Sequence, residues 1–216
     1  MWRFLLIILM AVTIPACEPT SGQERVQTAR QHVSPELGHA FGRPVFLRII
    51  KEELRLELWT QHESCWSILK EYPIAGMSGE LGPKTAEGDY QAPEGFYATT
   101  MGLLNPRSSF HLSFNIGYPN AYDRSLGRTG SFIMVHGGDE SIGCFAMTDA
   151  GIEEIYTMVH QALLAGQRSV PIQIYPFEMT PERMEKEKNS PHYKFWQYLL
   201  PGWQHTHTHS EPYAGN

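Results

Sequence analysis

The sequence predicts a mainly β protein of the α+β class, with one or two helices packed against its strands. Residues 54–59 and 170–174 alternate apolar and polar side chains, which is the period of a half-buried strand. Residues 152–163 instead space their apolar side chains three and four apart, which is the period of an amphipathic helix. No internal repeat or coiled-coil heptad interrupts this pattern, so we expect one main domain.

Three consecutive strands are expected in the first half of the chain. Residues 46–50 form an apolar run, residues 54–59 alternate, and residues 65–72 form a third strand-like run. Residues 51–53 fit a hairpin loop between the first two, although they lack the favoured Asn-Gly chemistry. Cys65 opens the third run, and we predict that it is a small buried apolar residue.

A long loop and two further strands are predicted next. Residues 76–95 are rich in Gly and Pro and are expected to form a long ordered loop. Residues 96–100 enter another strand. Residues 110–116 alternate, which predicts one strand face of apolar side chains and one polar face; the apolar set is Phe110, Leu112, Phe114 and Ile116, and the polar set is His111, Ser113 and Asn115.

The clearest helix follows a strand predicted at residues 131–135 and a glycine-rich loop. Thr148 or Asp149 can cap this helix, and Gly166 is a suitable residue just beyond its end. The last strand contains Pro171, which has no N–H to donate and is therefore confined to an edge or to the start of a strand.

The two ends of the chain carry different signals. Residues 181–188 are charged and compatible with a helix, and residues 191–200 carry aromatic side chains that can dock on the main body. We expect a C-terminal helical extension and flexible tail at 177–216. The alternating His205, His207 and His209 could bind a metal, but a solvated tail is the expected state.

The N-terminus is typical of an export signal. Arg3 precedes an apolar run at residues 4–14, which is too short to span a bilayer, and the small residue Ala16 marks a cleavage point. Residues 14–17 also resemble a bacterial lipobox that would lipidate Cys17, so plain secretion and a lipoprotein both remain open. We therefore expect a signal peptide at 1–16, a tether and docking segment at 17–44, and a periplasmic location.

Composition excludes some classes of protein. The chain has 17 Lys and Arg against 23 Asp and Glu, for a formal net charge of −6, which argues against an extended surface for nucleic acid. Its three cysteines cannot form a framework of disulfides once Cys17 is lipidated or removed.

His136 and Cys144, at the two ends of the glycine-rich loop, are the residues most indicative of function. A thiolate is a nucleophile in acyl transfer, and an imidazole within reach can take its proton and then protonate a leaving amine. The backbone N–H groups of Gly143 and Cys144 are natural donors to the oxyanion. This pattern predicts an acyl-transfer enzyme that needs no cofactor. A metal site is an alternative, although a four-ligand site requires two further ligands.

The loop and its flanks resemble the L,D-transpeptidase (YkuD) family, which has a histidine-glycine pair followed by serine-x-glycine-cysteine. Residues 135–144 carry that pattern, and residues 91–97 resemble the family's upstream proline-x-glycine segment. Residues 110–120 and 143–149 are similar to the YafK-like branch in particular. The three motifs occur in the family's order, and the resemblance spans residues 45–176.

The resemblance implies a β-sandwich or barrel catalytic domain at 45–176 that acts on peptidoglycan stem peptides. It assigns the nucleophile to Cys144, the acid/base to His136, and orientation of the imidazole to the carbonyl of Gly137. It also implies covalent inhibition by carbapenems. The YafK-like branch is associated with cleavage of the amide at diaminopimelate that links a lipoprotein to the wall, which favours hydrolysis here. The alternatives are formation of 3–3 cross-links or attachment of a lipoprotein, and a non-catalytic wall-binding lipoprotein.

Two departures from the family concern the substrate contacts. The loop between histidine and cysteine is shorter than usual, and Ala146 stands where the family has an arginine that could pair with a substrate carboxylate. Arg124 or Arg128 could compensate. The other candidates for substrate binding are Ser141, which could also support the loop by hydrogen bonding, and His111, Tyr118 and Asn120.

Overall fold

The computed structural model describes residues 21–213, which form two β-sheets with helices packed on them. The strands are β1 (Val45–Ile50), β2 (Arg55–His62), β3 (Cys65–Pro73), β4 (Gly95–Thr99), β5 (Leu104–Asn105), β6 (Ser113–Asn115), β7 (Met134–His136), β8 (Phe145–Ala146) and β9 (Val170–Tyr175). The helices are α1 (Gly22–His32), α2 (Pro35–Gly38), α3 (Ala121–Ser125), α4 (Asp149–Leu164), α5 (Pro181–Lys186) and α6 (Tyr193–His209). The predicted α+β class is therefore confirmed.

The larger sheet has the strand order β3-β2-β1-β9-β4. Strands β1, β2 and β3 form the predicted antiparallel meander, and β9 pairs parallel to β1 with Leu47 opposite Ile172. Every residue of β1 is buried, which explains its nearly continuous apolar sequence. Pro171 lies at the start of β9, as its missing N–H requires.

The smaller sheet, in the order β5-β6-β7-β8, carries the glycine-rich loop. Its last two strands are parallel neighbours, with Val135 opposite Phe145 and His136 opposite Ala146. An isolated antiparallel bridge between Gly76 and Ala146 adds the start of the long loop to the edge of this sheet. Neither sheet of the described chain closes on itself, so the barrel form of the prediction is wrong.

Helix α4 supplies much of the core between the sheets. Its apolar stripe is buried as predicted, and includes Ile152, Ile155, Tyr156, Val159 and Leu163. Thr148 caps the helix by accepting a hydrogen bond from the N–H of Gly151 at 3.1 Å, an arrangement worth about 1 kcal/mol. The helix ends at Leu164, and Gly166 has the positive φ of +107° that suits the position after a helix.

The segment before β1 is helical where it is described. Ser21 and Glu24 form a capping box at the start of α1, and α1 packs on α4. Glu153 of α4 is buried and accepts hydrogen bonds from two histidines: its Oε2 lies 2.7 Å from His32 Nδ1 and its Oε1 lies 2.7 Å from His111 Nε2. The docking part of the predicted 17–44 segment is therefore ordered, whereas the proposed signal peptide and Cys17 lie outside the described residues.

The C-terminal segment packs on the larger sheet through α6. The aromatic side chains at 191–200 dock as predicted, in a second apolar cluster that includes Tyr175, Phe177, Phe195, Trp196 and Trp203. The helix continues through Pro201 to His209, so the prediction of a flexible tail at His205–His209 is wrong for these residues. Proline removes one backbone hydrogen bond from a helix, but Trp196 and Trp203 are buried on either side of Pro201 and hold both halves of α6 against the sheet.

A buried ion pair between Lys51 and Glu94 holds the long loop at residues 76–95 in place. Lys51 Nζ lies 3.0 Å from Glu94 Oε1 and 3.0, 3.0 and 2.9 Å from the carbonyl oxygens of Glu80, Gly82 and Ala92, so its three N–H donors are shared among four acceptors. Glu94 Oε2 accepts from Trp196 Nε1 at 2.8 Å. The loop is therefore ordered, as predicted, because one ammonium group satisfies three of its carbonyls.

Two other predictions need correction. Cys65 is exposed because β3 lies at the edge of the larger sheet. Phe110 is also exposed, because only residues 113–115 of the predicted strand pair within the sheet. Six helices occur within residues 21–213; besides α4 and the C-terminal α5 and α6, which were expected, the structure has α1 and α2 before β1 and the short α3 between strands.

Candidate active site

The glycine-rich loop joins two parallel neighbouring strands, and this brings its ends together. His136 ends β7, and Cys144 directly precedes β8. Such a short connection requires unusual backbone conformations, and Gly143 accordingly has a φ of +77°. At Gly137 a Cβ atom would lie 2.5 Å from Asp149 Oδ1 and 2.8 Å from the carbonyl oxygen of Phe110, so this position has room for glycine only.

His136 is buried and held in one orientation. Its Nδ1 lies 2.6 Å from the carbonyl oxygen of Gly137, and because a carbonyl only accepts, Nδ1 carries the proton. Nε2 is then the acceptor and lies 3.4 Å from Ser141 Oγ. The imidazole ring packs against the Phe110 ring at 4.9 Å between centroids. Burial lowers the pKa of His136, and the hydrogen bond to Gly137 opposes this only in part.

Cys144 presents a thiol to the same pocket that His136 lines. Its Sγ accepts a hydrogen bond from the N–H of Met134 at 3.3 Å and lies 3.7 Å from the carbonyl oxygen of Phe132. Burial raises the pKa of Cys144, while the Met134 N–H and the positive charge of Lys84 act in the opposite direction. The two shifts together favour a neutral thiol next to a neutral imidazole in the unbound protein.

The two predicted oxyanion donors both have partners within the protein. The N–H of Gly143 donates to Ser78 Oγ at 2.7 Å, and the N–H of Cys144 donates to Ser141 Oγ at 3.1 Å. Ser78 Oγ in turn donates to the carbonyl oxygen of Tyr90 at 2.6 Å. A substrate oxygen that binds here has to replace one of the two serine hydroxyls. Ser141 thus supports the loop as predicted, whereas sequence reasoning missed Ser78.

Cys144 lies where two pockets meet, and Phe132 and Ile142 line both of them. These two apolar side chains are 76% and 70% exposed, so they flank the thiol as projecting walls. The larger pocket has a volume of about 410 Å³ and is also lined by Ser108, Phe110, Ser113, Met134, His136, Glu140 and Ser141. The small pocket has a volume of about 160 Å³ and contains two charged residues, Lys84 and Glu87.

One of the six predicted substrate-binding residues lines a pocket at Cys144, and a second lies apart from it. Ser141 lines the larger pocket. His111 lies instead in a separate polar groove with Arg25 and Asp149. Its side chain is engaged with Glu153, and its carbonyl oxygen accepts from Arg25 Nη1 at 3.1 Å.

The remaining four candidates line neither pocket, because each has a structural partner. Tyr118 is buried, and its hydroxyl lies 3.3 and 3.1 Å from the carbonyl oxygens of Lys84 and Thr129. Asn120 caps α3. Arg124 donates to the carbonyl oxygen of Pro119, and Arg128 pairs with the buried Asp123 at 2.7 Å.

The position of the family's arginine is closed in this protein. Ala146 is fully buried, and its backbone pairs with Gly76 on one side and His136 on the other. Arg124 and Arg128 do not take over its place, since both are engaged elsewhere. The cation that does line a pocket at Cys144 is Lys84, which the sequence patterns did not single out.

Two other possibilities were tested on the described chain. No group of three or more His, Cys, Asp or Glu side chains is arranged to hold a metal ion within residues 21–213. In the same part of the chain, every helix is too short or too polar to cross a membrane.

Comparison with known proteins identifies relatives of this chain. No protein-family model matches the sequence. Two Escherichia coli proteins, from strains K12 and O157:H7, both named "Putative L,D-transpeptidase YafK", are 41% identical over 204 residues, which cover 94% of this chain and 82% of each relative. The crystal structure of the helical cell shape determining protein Pgp2 from Campylobacter jejuni matches with a TM-score of 0.52, covering 87% of this chain and 67% of Pgp2. At 19% identity, the match to Pgp2 shows a shared fold alone.

Proposed function

The chain belongs to the L,D-transpeptidase family, in the group represented by YafK, and on this premise we propose that it is a cysteine acyl-transfer enzyme of peptidoglycan. In this proposal it cleaves a stem-peptide amide bond at diaminopimelate and so releases a peptide or lipoprotein linked to the wall. The observation that carries the proposal is the shared pocket of Cys144 and His136, with Nδ1 of His136 held by Gly137.

The chemistry begins with the transfer of a proton from the Cys144 thiol to Nε2 of His136. The thiolate then attacks the amide carbonyl, and the protonated imidazole delivers its proton to the departing amine. A water molecule, activated by the same Nε2, finally hydrolyses the thioester. Since Sγ contacts Met134 and Nε2 faces Ser141 in the unbound protein, the first proton transfer requires a shift of the thiol or of the ring when substrate binds.

The electrostatics of the site support ionisation during the reaction rather than before it. Burial disfavours both charged forms, raising the pKa of Cys144 and lowering that of His136. An imidazole with a lowered pKa is a competent base at neutral pH because it is unprotonated there. The oxyanion is stabilised by the N–H of Gly143 or Cys144 after the carbonyl oxygen replaces the hydroxyl of Ser78 or Ser141.

Transfer to an amine is the second candidate reaction, and one observation favours it. Cys144 lies at the junction of two pockets, so a second peptide could approach the thioester from the side opposite the first. Both reactions share the thioester at Cys144 and differ in whether water or an amine attacks it.

The deciding experiment incubates the purified protein with muropeptides and with a diaminopimelate–lysine peptide conjugate, with and without an added D-amino acid, and identifies products by mass. Hydrolysis predicts release of the lysine-bearing peptide without exchange. Exchange of terminal D-alanine for the added amino acid, or a new 3–3 cross-link, would instead establish transfer.

Matched variants connect either activity to the site. Cys144→Ala should abolish turnover while the circular dichroism spectrum and melting temperature stay close to those of the parent. Cys65→Ser is the control, because this second thiol is exposed and lines neither pocket, and it should keep full activity. A folded Cys144→Ala variant that still turns over would contradict the proposal, and an inactive parent that only retains wall fragments would favour a binding protein.

The proposed location is the periplasm, with Cys17 as a lipid attachment site. The supporting observations are the apolar run at residues 4–14 and the lipobox-like residues 14–17. Cys17→Ser should move the protein from the detergent phase to the aqueous phase of a detergent extraction. An unchanged distribution would favour plain secretion.

A further inference from the structure

The small pocket beside Cys144 combines a cation and an anion in a confined space. Lys84 and Glu87 both line it, together with Phe132, Ile142 and Cys144 itself. Its volume of about 160 Å³ is well below the 410 Å³ of the larger pocket. A space of this size suits a small charged group such as an α-amino-carboxylate, –CH(NH₃⁺)COO⁻.

Lys84 is held in place by the loop that surrounds it. Its side chain is buried, and Nζ donates to the carbonyl oxygen of Ala86 at 2.8 Å and to the carboxylate of Asp89. These two bonds use two of the three donors of an ammonium group, which leaves one for a ligand. The charge is therefore fixed at the pocket wall rather than carried on a mobile surface side chain.

Asp89 offsets the positive charge of Lys84 only in part, because the Asp89 carboxylate also accepts hydrogen bonds from several backbone N–H groups. Its two oxygens accept the backbone N–H groups of Thr85, Ala86 and Gln91 at 2.8, 3.0 and 3.1 Å. Partial burial acts to raise the pKa of Asp89, but the Lys84 ammonium and these three N–H groups lower it to about 2. The carboxylate thus stays ionised and organises the loop that presents Lys84.

Glycine at position 130 allows the two charged side chains to approach each other. A Cβ atom built there would lie 2.9 Å from Lys84 Cε, 3.3 Å from Tyr118 Cε1 and 3.4 Å from Glu87 Oε2. The backbone of Gly130 also has a φ of +122°, which residues other than glycine rarely adopt. The ammonium side chain and the carboxylate therefore converge on a space that any larger residue would fill.

We propose that this small pocket binds the free α-amino-carboxylate end of the acyl-donor residue, with Lys84 pairing with its carboxylate and Glu87 with its ammonium group. The inference rests on the proposed function and adds the part of the substrate that determines specificity. It also gives this protein a carboxylate-binding cation although Ala146 occupies the position of the family's arginine. With Asp89 and Glu87 both negative, a zwitterion matches the pocket better than an isolated carboxylate does.

The position of the pocket gives this contact a role in orienting the substrate. The same small space is bounded by Cys144 and Gly143, so a residue whose charged end is held by Lys84 has its scissile carbonyl directed towards the thiol. Lys84 is then a specificity-determining residue for the reaction, acting through the substrate and not through His136.

The test measures binding rather than turnover, so that it stands apart from the reaction itself. Isothermal titration calorimetry uses the full chain with Cys144→Ser and three probes. The first is a tripeptide ending in meso-diaminopimelate. The other two are modified at the diaminopimelate end that is not in the peptide chain: one has the α-carboxylate of that end converted to an amide, and the other has its α-amine acetylated. We expect each modified probe to bind about tenfold more weakly than the parent, which corresponds to ~1.4 kcal/mol.

Variants assign the two halves of the recognition. Adding Lys84→Met should remove the preference for acid over amide, and Lys84→Arg should retain part of it. Glu87→Gln should remove the preference for free over acetylated amine. Lys70→Met, at a lysine that pairs with Glu154 at 2.5 Å and lines neither pocket, should change neither preference.

Several outcomes would overturn the inference. Equal affinity of the parent chain for all three probes would do so, and so would a Lys84→Met protein that still prefers the acid. If Lys84→Met fails to fold, the Glu87→Gln variant decides whether the pocket binds the zwitterion. The Glu87 side chain is exposed, so replacing it does not disturb the core. If the probes bind with different affinities but the protein that retains Cys144 shows no turnover, the proposed reaction is refuted and the binding site stands. If that protein turns over substrate but all three probes bind equally, the binding site is refuted and the proposed reaction stands.

Discussion

Replacement of Glu94 by glutamine should reveal how strongly the long loop at residues 76–95 depends on the buried pair beneath it. The Glu94 carboxylate accepts from Lys51 Nζ at 3.0 Å, from the N–H of Gly82 at 2.6 Å and from Trp196 Nε1 at 2.8 Å. Both charged side chains are fully buried. Glu94→Gln keeps the shape of the residue but leaves Lys51 without its counter-charge.

The expected cost follows from what Lys51 can do in response. Leaving one member of a buried pair charged and unpaired costs about 3–5 kcal/mol. Burial already lowers the pKa of Lys51 against the opposing effect of Glu94, so in the variant Lys51 can release its proton instead. Releasing it at pH 7 from an ordinary lysine pKa of about 10.4 costs about 4.6 kcal/mol, at 1.36 kcal/mol per unit, which is similar to the cost of leaving the charge unpaired. We expect about 3–4 kcal/mol, or a melting temperature lower by about 6–16 °C.

The pH dependence has a defined sign if Lys51 is neutral in the folded variant. The unfolded chain then binds one more proton than the folded chain, so stability of the variant rises with pH. Between pH 7 and pH 9 the gap to the parent should narrow by up to about 2.7 kcal/mol. If Lys51 stays charged, the gap should remain nearly constant.

Chemical denaturation at both pH values measures these differences. Glu185→Gln is the control, because its carboxylate pairs with Lys188 at the surface and its loss should cost less than about 0.5 kcal/mol. The double variant Lys51→Met/Glu94→Gln should lose this pH dependence, since no titratable group of the pair remains. A cost below about 1 kcal/mol for Glu94→Gln at pH 7 would refute this account of the loop, given the usual cost of an unpaired buried charge.

Three further predictions concern the thiol and its surroundings. In the Cys65→Ser protein, the rate of alkylation of Cys144 by iodoacetamide should still be rising above about pH 8.5, the ordinary pKa of cysteine, because burial raises its pKa; a plateau below about pH 8 would contradict this. A carbapenem should add once to the chain by intact-mass spectrometry and not at all to Cys144→Ser, and an adduct mapped to Cys65 would indicate unspecific thiol chemistry. Gly76→Ala should cost about 1–3 kcal/mol in denaturant, since its Cβ would lie 2.3 Å from the carbonyl oxygen of Asp139, whereas Gly38→Ala, which meets no atom within 4 Å, should cost nothing.

Periodicity was sufficient to predict the elements whose two faces have different surroundings. The stripe from Ile152 to Leu163 identified α4, because one face packs on the sheets and the other meets solvent. Strand β1 was predictable for a different reason, because it is buried throughout and its sequence is a nearly continuous apolar run. The strand predicted at residues 110–116 was too long, because only residues 113–115 pair within the sheet. An alternating sequence does not show how much of it finds a pairing partner.

Some missed elements had local signals that could have been used. Ser21 and Glu24 have the spacing of a capping box, and they do begin α1. The end of α6 had no such signal, because Pro201 and the histidines up to His209 are poor helix formers. That helix exists because Trp196 and Trp203 pack into the second apolar cluster, which is a tertiary effect.

The site divides in a similar way. His136 and Cys144 could be singled out as candidates because both belong to one loop of the sequence. Ser78 and Lys84 could not, because they reach the site from the long loop at residues 76–95, far earlier in the chain, through single contacts that no sequence period records. Tyr118 and Arg128 were plausible as polar residues near the motif, yet they serve the protein's own buried hydrogen bonds.

The ordered start of α1 has a consequence for the proposal that Cys17 carries a lipid. The capping box places Ser21 at the beginning of a helix that packs on α4, so the described body already includes that residue. If Cys17 carries a lipid, only about four residue steps separate the anchor from that body, a reach of at most about 14 Å at ~3.6 Å per residue. The proposed reaction would then be confined to wall material within that reach plus the width of one domain, and a lipoprotein substrate anchored in the same membrane would meet that condition at its own base. Lengthening the tether would therefore change which bonds the protein can reach without altering its active site.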